Sequence, residues 1–179
     1  MNMKHTLFAL IAVLAAAAPA AAQQVTKETR DGIKYFSRLE TTVACAGAIT
    51  SDAMPEIKKM GFASVINLRE AQEPGADIDT HRAAAEAAGL RYYHVPFNGA
   101  KPDPKVADQF VKIISSSEAA PAFIHCASAN RVGGAMIPFF ILDNGMDEQA
   151  AIDAAMQIGL RNAGLMEWGL DYTRRHAGG

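Results

Sequence analysis

The chain has 179 residues, half of them hydrophobic, and a formal net charge of −2. That length is sufficient for one domain with a full hydrophobic core. The near-neutral charge and the lack of a basic cluster exclude the electrostatic surface that nucleic acid requires, so we predict no nucleic-acid partner.

Residues 1–22 have the three parts of a secretory signal peptide. Lys4 precedes an apolar run from Leu7 to Ala18, and the small residues Ala20 and Ala22 form a cleavage site before Gln23. The apolar run is too short to span a bilayer comfortably. We therefore expect a periplasmic or secreted domain of residues 23–179 with no membrane contact after the signal peptide is cleaved.

The remaining chain alternates between strand and helix signals. Residues 23–32 are polar, and we predict a loose lead-in there. Short apolar runs bounded by turns predict strands at 41–45, 63–68, 91–95 and 122–125. Capped or periodic segments predict helices at 51–60, 79–88, 104–114, 132–142, 147–158 and 165–175, with a kink at Pro138. This order predicts an α/β fold: a single three-layer domain with a mainly parallel central sheet and helices on both faces.

The segment from His125 to Arg131 lies between the strand at 122–125 and the apolar helix that follows. In such a strand-loop-helix unit, the loop N–H groups and the helix N-terminus converge on one point and form an anion site. The same positive field favours the thiolate of a cysteine at the mouth of the loop. The planar guanidinium of Arg131 can hold two oxygens of a tetrahedral anion. We predict an oxyanion-binding loop with Cys126 as a thiolate nucleophile.

The other loop residues suit the same task. Small side chains allow the backbone to wrap closely around an anion, and the substrate-binding residues we predict are His125, Ala127, Ser128, Ala129 and Asn130. His125 can donate a hydrogen bond that orients the loop. Because His, Cys, Asp and Glu form no close cluster in the sequence, we predict neither a metal nor a cofactor.

His125-Cys126 followed by Arg131 resembles the signature of the beta-lactamase-hydrolase-like, dual-specificity-type family of cysteine-dependent protein tyrosine phosphatases. The likeness continues through most of the chain, at 65–69, 89–92, 94–96 and 159–160. The resemblance implies that Cys126 attacks phosphorus to form a phosphocysteine, which water then hydrolyses. It also implies that Arg131 and the amides of residues 127–130 hold the phosphoryl oxygens of a phosphorylated protein or small molecule.

Three features of the loop depart from the usual phosphatase pattern: its length and the residues at positions 129 and 132. Four residues separate Cys126 from Arg131, where the common phosphatase loop has five, and the short spacing is typical of sulfurtransferases in the rhodanese fold. Val132 replaces a hydroxyl residue, and Ala129 replaces a glycine, so the loop either avoids positive φ there or is modestly strained. A sulfurtransferase with a Cys126 persulfide and a noncatalytic oxyanion-binding module are therefore alternative functions.

The general acid is a separate question. The resemblance implies an aspartate after the strand at 91–95, but Asn98 stands there, and asparagine cannot act as an acid. We predict that Asp103 takes this role, with Asp108 behind it. The alternative for Asp103 is a helix N-cap beside Pro104.

Other polar residues have simpler interpretations. The chain has two cysteines, and in an oxidising compartment Cys45 can form a reversible disulfide with Cys126, or it can be a small buried residue. We predict that Arg69 and Glu70, at the end of a strand, form an exposed ion pair, with a role in positioning substrate as the alternative. We predict that His81 is solvated on a polar helix face.

Overall fold

The computed structural model describes residues 24–39 and 42–177. The signal peptide predicted at 1–22 lies outside these residues. The strands are β1 (Val25–Arg30), β2 (Ile33–Leu39), β3 (Val43–Ala46), β4 (Ser64–Asn67), β5 (Arg91–His94) and β6 (Ala122–His125). The α-helices are α1 (Met54–Lys59), α2 (Ile78–Ala87), α3 (Pro104–Ile114), α4 (Asn130–Pro138), α5 (Glu148–Ile158) and α6 (Ala163–His176).

All six strands belong to one sheet in the order β1-β2-β3-β6-β4-β5. The last four in this order are parallel to one another, whereas β1 and β2 are antiparallel additions at one edge. Cys45 lies opposite Ile124 across β3 and β6, and Asn67 lies opposite His125 across β4 and β6. The loop that follows β6 therefore leaves the middle of the sheet at its carboxyl edge, where α/β proteins place their ligand sites.

Side chains alternate between the two faces of the sheet, and each face is covered by helices. Cys45, Ile66 and Ile124 pack in a core with residues of α3, α4, α5 and α6. On the other face, Val65 and Phe123 pack in a second core with residues of α1 and α2. The predicted three-layer α/β fold is confirmed.

The prediction of a loose lead-in at 23–32 is wrong, because residues 25–30 form β1. This strand pairs with β2 through a hairpin in which Arg30 lies opposite Ile33. Asp31 and Gly32 make the turn, and Gly32 has a φ of 71°. An Asp-Gly pair between two strand segments is a strong hairpin signal, so the sequence did contain the information.

The predicted kink at Pro138 falls at the end of α4. The helix passes there into a π-helical turn at Phe139–Asp143, so the apolar run at 132–142 is not one regular helix. Proline has no N–H to continue the hydrogen-bond ladder, which explains the change in geometry. Among the described residues, no helix is both long enough and apolar enough to span a membrane.

Candidate active site

The predicted loop joins β6 to α4 and is attached to the end of β3. The N–H of Cys126 donates to the carbonyl of Ala46 at 3.2 Å, and the N–H of Ala48 donates to the carbonyl of Ala127 at 2.9 Å. Cys126 is fully buried, whereas Ala127 and Asn130 are half-buried and Ser128 is exposed. The nucleophile candidate therefore lies at the base of the loop, and the loop residues form its mouth.

Ala129 is the N-cap of α4 and has a φ of 65°, in the left-handed region. Of the two conformations that the sequence left open, the structure has the strained one, which costs about 1–2 kcal/mol for a residue other than glycine. The neighbouring Gly159 makes space for it, since a Cβ at Gly159 would lie 2.9 Å from the Ala129 Cβ. The side-chain oxygen of Asn130 accepts from the N–H of Arg161 at 2.7 Å and so attaches the loop to the turn before α6.

Arg131 is held in place by a carboxylate and two carbonyls. Its Nη2 donates to Glu73 Oε2 at 2.7 Å, and its Nη1 donates to Glu73 Oε1. The same Nη1 donates to the carbonyls of Phe97 at 2.9 Å and Leu68 at 3.2 Å. Burial disfavours the charge of Arg131, but the hydrogen bonds that it donates to Glu73 and the nearby Cys126 sulfur raise its pKa above the usual value. Arg131 is thus a fixed cation beside Cys126.

Glu73 is a site residue that sequence reasoning missed. Burial alone would raise its pKa, but hydrogen bonds from Arg131, from the N–H of Glu70 and from Arg69 outweigh that effect and lower it to about 2. Glu73 is therefore ionised throughout the physiological range, and it orients Arg131 through two hydrogen bonds. It is separated from Arg131 by 58 residues in the sequence, and no local pattern marks it as a partner.

The prediction that Arg69 and Glu70 form an exposed pair is wrong. Arg69 is only 4% exposed. Its guanidinium donates to the carbonyls of Pro74 at 2.6 Å and Gly75 at 2.7 Å, and to Glu73 Oε2 at 3.3 Å. Arg69 therefore holds the loop that carries Glu73, because planar guanidinium donors can bind several oxygens at once.

His125 and His81 form a buried pair. The prediction that His81 is solvated is wrong: it is 3% exposed, and its ring centroid lies 6.1 Å from that of His125. The hydrogen bond by which His125 would orient the loop stays a prediction. Burial, with the nearby His81, lowers the pKa of His125 to about 3, so the ring is neutral at physiological pH.

Asp103 and Asn98 lie on the segment between β5 and α3. Asp103 is exposed and accepts from the N–H of Lys105 at 2.9 Å, which is the N-cap contact. Asn98 uses its side-chain oxygen to accept from the N–H groups of Ala100 and Lys101, which shapes the loop. The role of Asp103 as general acid stays a prediction. An exposed carboxyl group can cap the helix and also donate a proton to a leaving group, so the cap contact does not contradict that role. Asp108 accepts from the Tyr172 hydroxyl at 2.9 Å.

Both cysteines are buried free thiols. Burial raises the pKa of Cys45, and the neighbouring Cys126 adds to the effect. Since Cys45 lies opposite Ile124, Cys126 is two residues further along the next strand, which corresponds to a Cα separation of about 8 Å. Disulfides need about 7 Å or less, so the predicted redox pair would require the backbone to move. Among the described residues, no group of three or more His, Cys, Asp or Glu side chains is placed to hold a metal.

The chain is similar to known phosphatase-like proteins in sequence. Residues 35–137 match the family described as the beta-lactamase hydrolase-like protein, phosphatase-like domain. A beta-lactamase hydrolase-like protein from Xylella fastidiosa is 32% identical over 93 residues, which cover 50% of this chain and 21% of that relative. The match thus spans about a fifth of the relative's length. Because the family match covers more than half of the chain, the chain belongs to this phosphatase-like domain family.

The fold is also that of solved cysteine-based phosphatases. TpbA from P. aeruginosa has a TM-score of 0.64 at 18% identity, with 88% of this chain and 92% of TpbA covered. A TpbA variant in complex with pTyr has a TM-score of 0.63 at 15% identity and covers 90% of this chain and 100% of its own. The core catalytic domain of a PP-IP phosphatase from S. cerevisiae has a TM-score of 0.63 at 15% identity, with 80% of this chain and 92% of the yeast domain covered. These similarities confirm the expected fold.

Proposed function

We propose that this chain is a cysteine-dependent phosphatase that hydrolyses phosphotyrosine or another phosphoester. One observation carries the proposal: Arg131 is fixed by Glu73 and two carbonyls beside the buried Cys126, at the start of α4. A rigid cation beside a nucleophile stabilises charge that develops on a transferred group without reorganising during the reaction. The family membership and the pTyr complex of TpbA support the same reaction class.

In the proposed reaction, the Cys126 sulfur attacks phosphorus, so that a P–S bond forms and the P–O bond to the leaving group breaks. Arg131 and the amides of residues 127–130 bind the nonbridging oxygens. Asp103 gives a proton to the departing oxygen and then takes one from the water that cleaves the P–S bond. Inorganic phosphate is released, the Cys126 thiolate is regenerated, and no step needs a metal.

A comparison of two assays tests this function. We expect hydrolysis of p-nitrophenyl phosphate by the purified protein and none by Cys126→Ser, which keeps the size of the side chain but removes the thiolate. The second assay offers thiosulfate and cyanide, because the four-residue spacing between Cys126 and Arg131 favours a sulfurtransferase as the second candidate. Cys126-dependent thiocyanate without phosphatase activity would contradict the proposal, and phosphate binding without either activity would indicate a noncatalytic module.

The acid role of Asp103 is tested by the leaving group. We expect Asp103→Asn to lower kcat/KM for phenyl phosphate, whose leaving group needs a proton, by about 10²-fold, and to affect p-nitrophenyl phosphate much less. Asparagine is as good an N-cap as aspartate, so the unfolding free energy should not change. Asp108→Asn serves as the comparison on the same helix. Equal losses on the two substrates would remove Asp103 from the mechanism.

We also propose that residues 1–22 are removed as a signal peptide and that the enzyme acts in the periplasm or outside the cell. Lys4, the apolar run and Ala22 support this location. The mass of the protein recovered from the periplasmic fraction should correspond to a chain that begins at Gln23. Intact protein that begins at Met1 in the cytoplasm would contradict it.

A further inference from the structure

His81 occupies a position in α2 that an apolar side chain would fill at lower cost. The buried residues of this helix are His81 and Ala85, and Ala85 packs in the core with Val65 and Phe123. Burying an imidazole costs free energy unless its nitrogens have polar partners, whereas a leucine or phenylalanine would fill the same space without that cost. The reason for a histidine here therefore lies in its polar neighbours.

One polar neighbour of His81 is the loop that orients Arg131. Burial lowers the pKa of His81, and a hydrogen bond with the backbone of Ala76 opposes this effect. The N–H of Ala76 in turn donates to the carbonyl of Glu73 at 2.9 Å. His81 is thus attached to the same short loop whose Glu73 carboxylate holds Arg131.

The other polar neighbour is His125, which is the last residue of β6 and directly precedes Cys126. The two rings are nearly perpendicular, with 85° between their planes and 6.1 Å between their centroids. His125 is fully buried, and Nδ1 of His81 is a buried atom without a hydrogen bond in the described part of the chain. The two imidazoles therefore form one enclosed polar pair between α2 and the catalytic loop.

Both rings are neutral at physiological pH. Burial, with the nearby His81, lowers the pKa of His125 to about 3, and Arg69 and Arg131 act in the same direction. For His81, burial and Arg69 outweigh the nearby Asp77 and likewise lower the pKa. A neutral imidazole has one nitrogen that donates and one that accepts, and its neighbours decide which nitrogen carries the proton. His81 is therefore placed to decide the tautomer of His125.

The tautomer of His125 bears on the nucleophile. The backbone of Cys126 lies close enough to the His125 ring to act against burial and raise the pKa of that ring. A ring N–H directed at the Cys126 carbonyl would fix the peptide plane at the base of the loop. The N–H groups that follow would then point at the sulfur and at the phosphoryl oxygens. A ring in the other tautomer would offer a lone pair to the carbonyl and leave this plane loose.

We propose that His81 is a positioning residue for the nucleophile. It fixes His125 in the tautomer that donates to the Cys126 carbonyl, and it links this side of the site to the loop that carries Glu73. His81 does not touch the substrate, and it acts through His125 on the loop that stabilises the thiolate. The inference rests on the proposed phosphatase function, which requires both an ionised Cys126 and a fixed loop.

The kinetic test uses substitutions that separate the nitrogens of His81 from its volume. His81→Phe fills the space without a polar atom, His81→Gln retains a donor and an acceptor, and His176→Phe on the exposed end of α6 is the control. We expect His81→Phe to move the acid limb of kcat/KM for p-nitrophenyl phosphate toward alkaline pH by about one unit. The loss is then about tenfold on the acid side and disappears once the pH exceeds both midpoints. His81→Gln and His176→Phe should keep the wild-type profile.

Thiolate formation is also measured without turnover, by the ultraviolet absorbance of the thiolate during a pH titration. Cys45→Ala provides the background, in which Cys126 is the single thiol of the chain. In this background, His81→Phe should move the midpoint of thiolate formation toward alkaline pH by about one unit, as in the kinetics. His81→Leu takes the place of His81→Phe in both experiments if the larger ring prevents folding.

The wild-type protein offers a measurement that needs no substitution of His81. Nitrogen NMR of histidine-labelled protein should show His125 neutral and in a single tautomer from about pH 5 to about pH 8. Two tautomers of His125 in exchange over this range would overturn the inference, because His81 would then not fix the ring.

The outcomes separate this inference from the proposed function. Hydrolysis with the same pH profile in the wild type and His81→Phe would overturn the inference and leave the function intact. An equal loss at every pH in His81→Phe and His81→Gln, with a lower free energy of unfolding, would also overturn it, because His81 would then act by packing alone. No hydrolysis by the wild type would overturn the function itself, while the thiolate titration would still test the role of His81.

Discussion

Replacing Arg131 with lysine is expected to lower kcat/KM for p-nitrophenyl phosphate by about 10³-fold. Glu73, Leu68 and Phe97 accept hydrogen bonds from the two Nη atoms of Arg131, and Nε donates to none of them. The Nε edge is therefore the one that can face the phosphoryl oxygens. Lysine keeps the positive charge, but its single nitrogen cannot bind Glu73 and the substrate in a fixed planar geometry.

The measurement is steady-state kinetics, together with the unfolding free energy of each variant. Arg175→Lys is the matched control, because Arg175 is an exposed arginine on α6 that pairs with Asp171. It should have wild-type kinetics. If Arg131→Lys loses less than tenfold while remaining folded, charge alone is sufficient, and the bidentate contact with Glu73 has no role in catalysis.

The sequence predicts the centre of the fold better than its edge. Local signals define the unit from β6 through α4, because a short apolar strand, a run of small residues and an apolar helix each have a distinct pattern. The predicted helix at 104–114 has the bounds of α3, with Asp103 as its cap. In contrast, β1 is half exposed and pairs with a single neighbour, so its residues have the composition of a loop. The sequence signal for β1 is the Asp31-Gly32 turn, which predicts a hairpin and therefore a strand on each side of it.

The active site also has a part that the sequence predicts and a part that it does not. Cys126 and Arg131 belong to one local segment, so their spacing predicts an anion site directly. Glu73 reaches Arg131 from the loop after β4, and only the parallel pairing of β4 with β6 brings the two together. The opposite charges of Arg69 and Glu70 suggest an ion pair on the surface. In the structure, however, Arg69 is buried and donates to the carbonyls of Pro74 and Gly75. Contacts between distant segments leave no local pattern in a single sequence.

Replacing Glu73 with glutamine should lower kcat for p-nitrophenyl phosphate by about 10²-fold, with a smaller change in KM. Glutamine has nearly the same shape and retains one oxygen acceptor, but it loses the charge and one of the two bonds that fix Arg131. The cation then remains in the site with a less defined orientation, which weakens transition-state stabilisation more than substrate binding. Glu70→Gln, which changes a neighbouring carboxylate that does not contact Arg131, is the control.

The same variant has a pH signature that a simple packing defect would not produce. The pKa of Glu73 is about 2 in the folded protein and about 4.5 ordinarily. Between these values the unfolded chain binds more protons than the folded chain, so the ionised Glu73 stabilises the fold above pH 4.5, and this contribution is lost as the pH falls toward 2. Urea unfolding from pH 7 to pH 2.5 should therefore show the stability gap between wild type and Glu73→Gln narrowing below pH 4.5. A constant gap across that range would mean that Glu73 acts by packing and not by holding the charge of Arg131.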